Sequence, residues 1–600
     1  MGTRRDLAWL AGLGIVLLVL LLWPYVVDGY RFGVGPDVPV YLWWTRVGAS
    51  EGLSMVGSRP GAPALAAGLA GSLLLNASAV TAGLASALGV AVGAAAAALV
   101  RAAGGRVGRS WLLAGLLAGV FSVHLVAGYL ANLVLAATFL AAAACLAGPR
   151  RTWWAAGLLL AGGGLAHPPF LVHAIIVLLG AAALAWRVGA RDEARDIALS
   201  VATGGLVAGA GVLATLAGPG PIDVETSKDG YLRRAGLDRE LVDAYRERFR
   251  LRAARYVQWI SVPLAVAGTT TADGFLQRFL FSWLAAIAIG IPVGYVTGWL
   301  PPDRLVTFGF AVPIGAALGL AWVQRRLDAR TWVARVAIVT LAGWMIVGAL
   351  LAWGRQKPFI SPHEARLMAS ATNILDVPSG TPIIFPVDNG DPTSTFLAAR
   401  VANLARAAIS PDRASDVYVF VGTVTDLLAD RPSHIGDPAF DALSETTLAM
   451  IPDRAEAQVI VVSAFYRPSD AASDPRMAEY GGGIYSNIDR CCTPGEMRGE
   501  SLDLRPSTST GIAMATIGIL ILLTLLGLGY ARAVFDDPVT AFATAPAFGA
   551  AALTLAAVTL DLLGLRLEWV PVALAASALA GLGGFALLVM KRKRDHQTPA

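Results

Sequence analysis

The sequence predicts a polytopic all-α membrane protein of about 11–14 transmembrane helices, with an extracytoplasmic α/β soluble domain inserted before the last three. Three observations predict it. Of the 600 residues, 56% are apolar and only 15% charged, where a soluble domain carries about 25% charged residues. The apolar residues gather into stretches of roughly 20, the length a helix needs to cross about 30 Å of hydrocarbon. One long polar stretch, 354–508, interrupts that series late in the chain.

The candidate spans are 6–27, 79–100, 111–128, 131–148, 152–166, 170–187, 196–218, 276–297, 304–323, 332–353, 510–531, 539–562 and 567–590. They give a membrane core over 1–353 with external loops at 28–61 and 219–275. The soluble domain follows over 354–508, then C-terminal helices and a basic tail over 509–600. No internal repeat is visible. The opening Arg4-Arg5 and the apolar run to Val27 resemble a signal peptide. The run is too long for one and lacks an Ala-x-Ala site, so it reads as an uncleaved first helix. Gly2 without Ser or Thr at residue 6 is a poor myristoylation signal.

Charge orients the first half. Arg4, Arg5, Arg101, Arg106, Arg109, Arg150, Arg151, Arg187, Arg191 and Arg195 fall on one side if each span crosses once. Basic loops stay inside, so that side is cytoplasmic. The tail Lys591-Arg592-Lys593-Arg594 is cytoplasmic by the same rule, which puts 354–508 outside by counting back. Both termini are then cytoplasmic, in a plasma-membrane protein. Counting forward gives the opposite side for 354–508. A crossing is therefore miscounted, either within 276–323, where Gly290, Pro292 and Gly294 favour a hairpin, or because 219–275 is cytoplasmic.

Strand-like runs at 382–387, 417–421 and 458–463, with a helical pattern at 394–408, make 354–508 an α/β domain. Asp388-Asn389-Gly390-Asp391-Pro392 reads first as a turn. Cys145 is in an apolar stretch, and the adjacent Cys491 and Cys492 read as free thiols. Three cysteines make neither a disulfide framework nor a zinc site. The net charge of +5 resides in short loops, a topology signal rather than a nucleic-acid surface. No phosphate-binding glycine loop, dinucleotide fingerprint, Gly-x-Ser-x-Gly or metalloprotease helix is present. ATP-driven transport and serine hydrolysis are poorly supported.

The loop after the first span reads Gly33-Val-Gly-Pro-Asp37-Val-Pro-Val-Tyr41-Leu-Trp43-Trp44-Thr-Arg46, then Glu51 and Arg59-Pro60-Gly61. Its aromatic residues suit the membrane interface. No Asp or Glu occurs from Gly61 to Ala190, which leaves Asp28, Asp37 and Glu51 as the external acids of the first half. A carboxylate beside the bilayer suits a general base, because partial desolvation raises its pKa. Asp37 equally suits a cap for the helix that begins near Val40. His167, in Ala166-His167-Pro168-Pro169, either binds substrate or caps the next helix. His124 and His173 lie near it in the expected topology. Over 219–275, Val242, Tyr245, Phe249, Ala253, Tyr256 and Ile260 recur at helical spacing among arginines that include Arg246 and Arg250. Such a basic amphipathic helix binds membrane lipids, a phosphate, or both.

These residues resemble the GT-C class of glycosyltransferases, polytopic enzymes that take sugars from polyprenyl-phosphate carriers. The resemblance rests on Gly35-Pro36-Asp37-Val38-Pro39-Val40-Tyr41, together with the order of spans, second long loop, further spans and soluble part. It implies an inverting glycosyltransferase with Asp37 in the place of the catalytic acid. Tyr41, Arg46, Glu51, Arg59, His167, Arg246 and Arg250 are then candidate substrate-binding residues. Many members carry paired acids where this chain has a single Asp37, so no cofactor is assigned and a divalent metal is left open. The implied partners are a polyprenyl-phosphate sugar donor, membrane lipids and a glycan, lipid or protein acceptor, with no nucleic acid. Two competing readings are a flippase for lipid-linked sugars and a non-catalytic membrane protein with an external binding domain. The scarcity of acids in the spans counts against ion-coupled transport.

Overall fold

A computed structural model describes residues 2–218 apart from 36 and 106–109, then 261–297, 302–327, 332–354, short stretches within 356–487, and 507–597. The expected helix at 394–408, the turn at 388–392, Cys491, Cys492 and the basic helix with Arg246 and Arg250 lie outside the described residues.

The chain is a bundle of helices: α1 (Gly2–Val26), α2 (Val38–Ser50), α3 (Gly61–Leu73), α4 (Ala77–Ala103), α5 (Trp111–Phe121), α6 (Val123–Val126), α7 (Leu130–Ala147), α8 (Trp153–Ala166), α9 (Pro168–Arg187) and α10 (Arg191–Leu216). After these come α11 (Ser261–Thr271), α12 (Gly274–Thr297), α13 (Pro302–Thr307), α14 (Ala311–Arg326), α15 (Trp332–Gly354), α16 (Ser509–Val534), α17 (Pro538–Leu562) and α18 (Val570–Gln597). Among the described residues, nine helices are long and apolar enough to cross a membrane. The chain is thus a multi-pass helical membrane protein.

Local sequence sets the helix starts. Asn76 accepts the Ala79 N–H at 2.7 Å and begins α4. Asp537, followed by Pro538, accepts the Thr540 N–H at 3.0 Å and begins α17. Two expected spans are divided. Residues 111–128 form α5 and α6, and 304–323 form α13 and α14 with a break at 308–310. The sequence reading also missed α3. Its 13 residues extend about 20 Å, too short to cross. It runs from beside Ala166 to beside Ala573, where Ser72 Oγ donates to the Ala573 carbonyl at 3.1 Å.

Small residues bring the helices together. A Cβ on Gly527 of α16 would lie 1.8 Å from the Ala545 oxygen of α17, and one on Gly549 of α17 1.9 Å from the Leu523 oxygen. Gly162 of α8 meets the Ala551 backbone in the same way, and Gly268 of α11 meets Gly315 of α14. In lipid, where the tails are as apolar as leucine, helices associate through this kind of close backbone contact.

Ion pairs mark one end of the bundle. Arg101 binds Asp6 at 2.9 Å and Asp537 at 2.6 Å. Glu193 binds Arg151 at 3.0 Å and Arg278 at 2.6 Å, and Asp536 binds Lys591 at 2.7 Å. This end holds the starts of α1, α10 and α12, the ends of α4 and α18, and the turns before α8 and α17. Burial works against the charge on Asp537, but its bonds to Arg101 and Thr540 outweigh that and hold the carboxyl below the usual range. A lowered carboxyl pKa stabilises the fold above the unfolded value, and that contribution is lost as pH falls through the folded one.

Contacts at the opposite end bear on the direction of the later helices. Gly218, just past α10, touches Ser54 at this second end, whereas Arg278 near the start of α12 lies at the first. The chain therefore changes ends between Gly218 and Gly274. α12 is one continuous helix containing Pro292. The expected break of a helix into a hairpin at Gly290, Pro292 and Gly294 does not occur. Pro292 and the glycines of α12 are tolerated in a helix packed among others. α15 then returns to the second end, where the Trp353 indole N–H donates to the Leu20 carbonyl at 3.1 Å.

Within 354–508 a five-stranded sheet has the order β2-β1-β3-β5-β4, with β1 (Ile383–Val387), β2 (Val417–Val421), β3 (Ile460–Val462), β4 (Ala478–Glu479) and β5 (Ile484–Ser486). β1 pairs in parallel with β2 and β3, and β5 is antiparallel to β3 and β4. The three parallel strands are the three apolar runs of the sequence, and β4 and β5 are too short to register there.

Gly549→Ala is expected to lower the melting temperature in detergent, at a cost of about 1–3 kcal/mol for overpacking. Gly12→Ala, with no atom within 4 Å of the new methyl, is neutral or stabilising. Glu51→Cys should react with a membrane-impermeant maleimide in intact cells, and Asp273→Cys only after permeabilisation. Labelling of both in intact cells contradicts the change of ends before α12.

Candidate functional site

The loop after α1 is pinned at several points. The Val34 N–H donates to the Tyr25 hydroxyl at 3.3 Å, and Val34 and Gly35 pair with Pro358. Gly35, at φ 109°, approaches Ala127 so closely that a Cβ would meet its carbonyl oxygen at 1.8 Å. Only glycine fits there on both counts. This sets the position of Asp37 two residues later.

Asp37 is half-buried and immediately precedes α2, with Pro39 in the first turn. Its side chain makes no capping bond to α2. The helix-cap reading is corrected: Asp37 occupies the cap position, and its backbone carbonyl accepts the Tyr41 N–H at 3.3 Å, but the carboxylate does not serve the helix. Nor does α2 lie open at the interface, since ten of its 13 residues are buried. Trp43 is fully buried and Arg46 is 9% exposed.

The other candidates distribute as follows. The Tyr41 hydroxyl accepts the Ala131 N–H at 3.2 Å, which joins α2 to the start of α7. Glu51 is exposed at the C-terminal end of α2. Arg59 is half-buried, two residues before Gly61, whose Cα approaches the Leu165–Ala166 backbone. His167 follows directly, is 5% exposed, and its Nδ1 accepts the Phe170 N–H at 3.3 Å. His167 thus has the capping role, with Pro168 and Pro169 behind it. The structure brings the loop 33–61 against the turns at 127–131 and 165–167. His124 faces the Phe121 carbonyl with Nδ1 and donates through Nε2 to the Thr307 carbonyl at 2.8 Å, tying α6 to α13. His173 is buried beside Phe308. Among the described residues no three His, Cys, Asp or Glu side chains stand together as a metal site.

Sequence reasoning missed three residues that hold this loop, Asp561, Arg566 and Glu568. Asp561, 7% exposed at the end of α17, accepts the Leu53 N–H at 3.0 Å and the Arg566 guanidinium at 3.1 Å. Gly52, at φ 110°, lies against that guanidinium, and the Glu568 N–H donates to the Ala49 carbonyl at 3.1 Å. The available signal was a lone acid in the span 539–562.

Asp561→Ala should lower the melting temperature by more than Asp561→Asn, because only the alanine leaves the Leu53 N–H without an acceptor. The buried charge pair argues for a cost of about 3–5 kcal/mol, reduced to about 1–3 kcal/mol because Arg566 is partly exposed. Equal melting temperatures for the two variants would contradict the role of the Leu53 bond.

No family model matches the chain, and no curated protein matches it. A search of solved structures finds the apo crystal structure of the oligosaccharyltransferase of Archaeoglobus fulgidus. The match has 11% sequence identity and a TM-score of 0.48, and covers 76% of this chain and 69% of that one.

Proposed function

We infer that the protein is a glycosyltransferase of the outer face of the plasma membrane, moving a sugar from a polyprenyl-phosphate donor to a glycan, lipid or protein acceptor. The observation that carries this is Asp37: a half-buried carboxylate, not used to cap its helix, in a loop fixed by Gly35, Tyr25 and Tyr41. The position matches that of the acid in the GT-C loop which the sequence resembles. The basic residues at the first end of the bundle, among them Arg101, Arg151 and Lys591, support a cytoplasmic assignment for that end. The loop 28–61 then faces outward.

In this reading Asp37 takes the proton of the acceptor hydroxyl. The acceptor oxygen attacks the anomeric carbon as the bond to the polyprenyl phosphate breaks, with inversion. Arg246 and Arg250 neutralise the leaving phosphate. Near the bilayer a lowered dielectric strengthens the arginine–phosphate attraction. The acids of the described spans do not favour a flippase, since Glu193 and Asp561 are both paired with arginines.

General-base catalysis is worth roughly 10²–10⁴-fold, so Asp37→Asn should cost at least about a hundredfold in turnover while the protein inserts and folds normally. Asp37→Glu should retain partial activity. The assay uses purified protein with a panel of polyprenyl-phosphate sugars, and near-normal transfer by Asp37→Asn removes Asp37 from the mechanism. Neutralising Arg246 and Arg250 should raise the KM for the lipid donor more than it lowers kcat, because phosphate binding is largely uniform between ground and transition states. An unchanged KM argues against the phosphate role.

A further inference from the structure

Three buried side-chain atoms without a hydrogen-bond partner sit in, or directly under, the loop that carries Asp37: Trp44 Nε1, Ser58 Oγ and Asn132 Nδ2. Trp44 is 2% exposed and Asn132 3%. Tyr41 links Trp44 to the residue before Asn132. Its ring stands edge-on to Trp44 with centroids 5.5 Å apart, and its hydroxyl accepts the N–H of Ala131, the residue before Asn132. A buried N–H without an acceptor is costly in a folded protein, and such groups concentrate where a partner is still to arrive.

Of these, Trp44 Nε1 and Asn132 Nδ2 are donors only, so their missing partner must bring acceptor oxygens. Nearby lie the apolar faces of Tyr41, Trp43 and Trp44 and, on the same helix, the buried guanidinium of Arg46. Aromatic faces beside N–H donors suit the C–H face and hydroxyl oxygens of a sugar, and the positive charge suits a phosphate. We propose that Trp44 Nε1 and Asn132 Nδ2 act as a donor pair that binds oxygen atoms of the sugar-phosphate end of the lipid-linked donor. The ligand class rests on the glycosyltransferase reading, whereas the unpartnered donors do not depend on it. Neither residue stands out in the sequence, where Trp44 is one of 16 tryptophans and Asn132 lies in an apolar span.

Two variants test this, the near-isosteric Asn132→Leu and the smaller Trp44→Phe. Asn132→Leu replaces an unpartnered polar group with an apolar one of similar size, so its ligand-free melting temperature should rise, by roughly 1–3 °C, whereas Trp44→Phe also leaves a cavity and is read by binding alone. Purified full-length protein is then titrated with polyprenyl monophosphate, and separately with polyprenyl-phosphate hexose and pentose, following the melting temperature. Each variant should bind about tenfold more weakly than the wild type, the loss of one hydrogen bond. A loss with the monophosphate assigns the pair to phosphate, and a loss only with the sugar-bearing lipids assigns it to the sugar. Wild-type affinity in both variants overturns the proposal, as does a fall in the ligand-free melting temperature of Asn132→Leu, which marks that donor as structural. If Asp37→Asn binds normally and does not transfer while Asn132→Leu does both normally, the donor pair fails and the enzyme reading stands. If Asn132→Leu loses binding and Asp37→Asn transfers normally, the pair stands and Asp37 as base fails. The absence of any shift in the wild type with all three lipids overturns both.

Discussion

A glycine of α17, Gly549, lies so near the Leu523 carbonyl of α16 that one methyl group would force the helices apart. The rest of the molecule depends on this kind of contact. Lipid tails compete fully with leucine for apolar surface, so burying leucine against leucine gains little inside a bilayer. What remains is dispersion between closely apposed backbones. The pairs Gly527–Ala545 and Gly162–Ala551 follow the same rule. They place α17 between α16 and α8, and so fix where its outer end, with Asp561, meets the loop after α1.

That meeting explains why the candidate site draws on both ends of the chain. The turn at Ala49–Leu53 is held by Asp561, Arg566 and Glu568, about 500 residues away in sequence. α2 and Asp37 are thus oriented by the end of α17 and the turn after it, made only after the inserted segment. An aqueous loop of this length would be mobile. Here Gly35, Tyr25, Tyr41 and Asp561 hold it to four different parts of the bundle.

Much of this was legible in the sequence and some was not, for physical reasons. Hydropathy located the long helices because twenty apolar residues have one use in a membrane. It could not see the breaks at Ser122 and at 308–310, where buried helix ends are joined by the two ring nitrogens of His124. It passed over α3, whose 13 residues are too few to cross. It misjudged Pro292, which inside a packed bundle neither ends nor turns the helix. Around the site, Asp37 was visible because acids are so scarce in the first half of the chain. The role of His167 as a cap, the tie from Asp561 and the donors of Trp44 and Asn132 depend on contacts that no local pattern encodes.

The pairing of Pro358 with Val34 has a counterpart at the far end of the inserted segment, where the Ser507 N–H donates to the Arg31 carbonyl at 3.0 Å. Both junctions therefore fall on residues 31–35, a stretch of at most about 14 Å. A segment of roughly 150 residues leaves and rejoins the bundle at nearly one point. In modular terms it is a cassette: the helices before and after it can keep their arrangement with a short linker in its place. The length of such an insertion can change without moving either of the helices it joins.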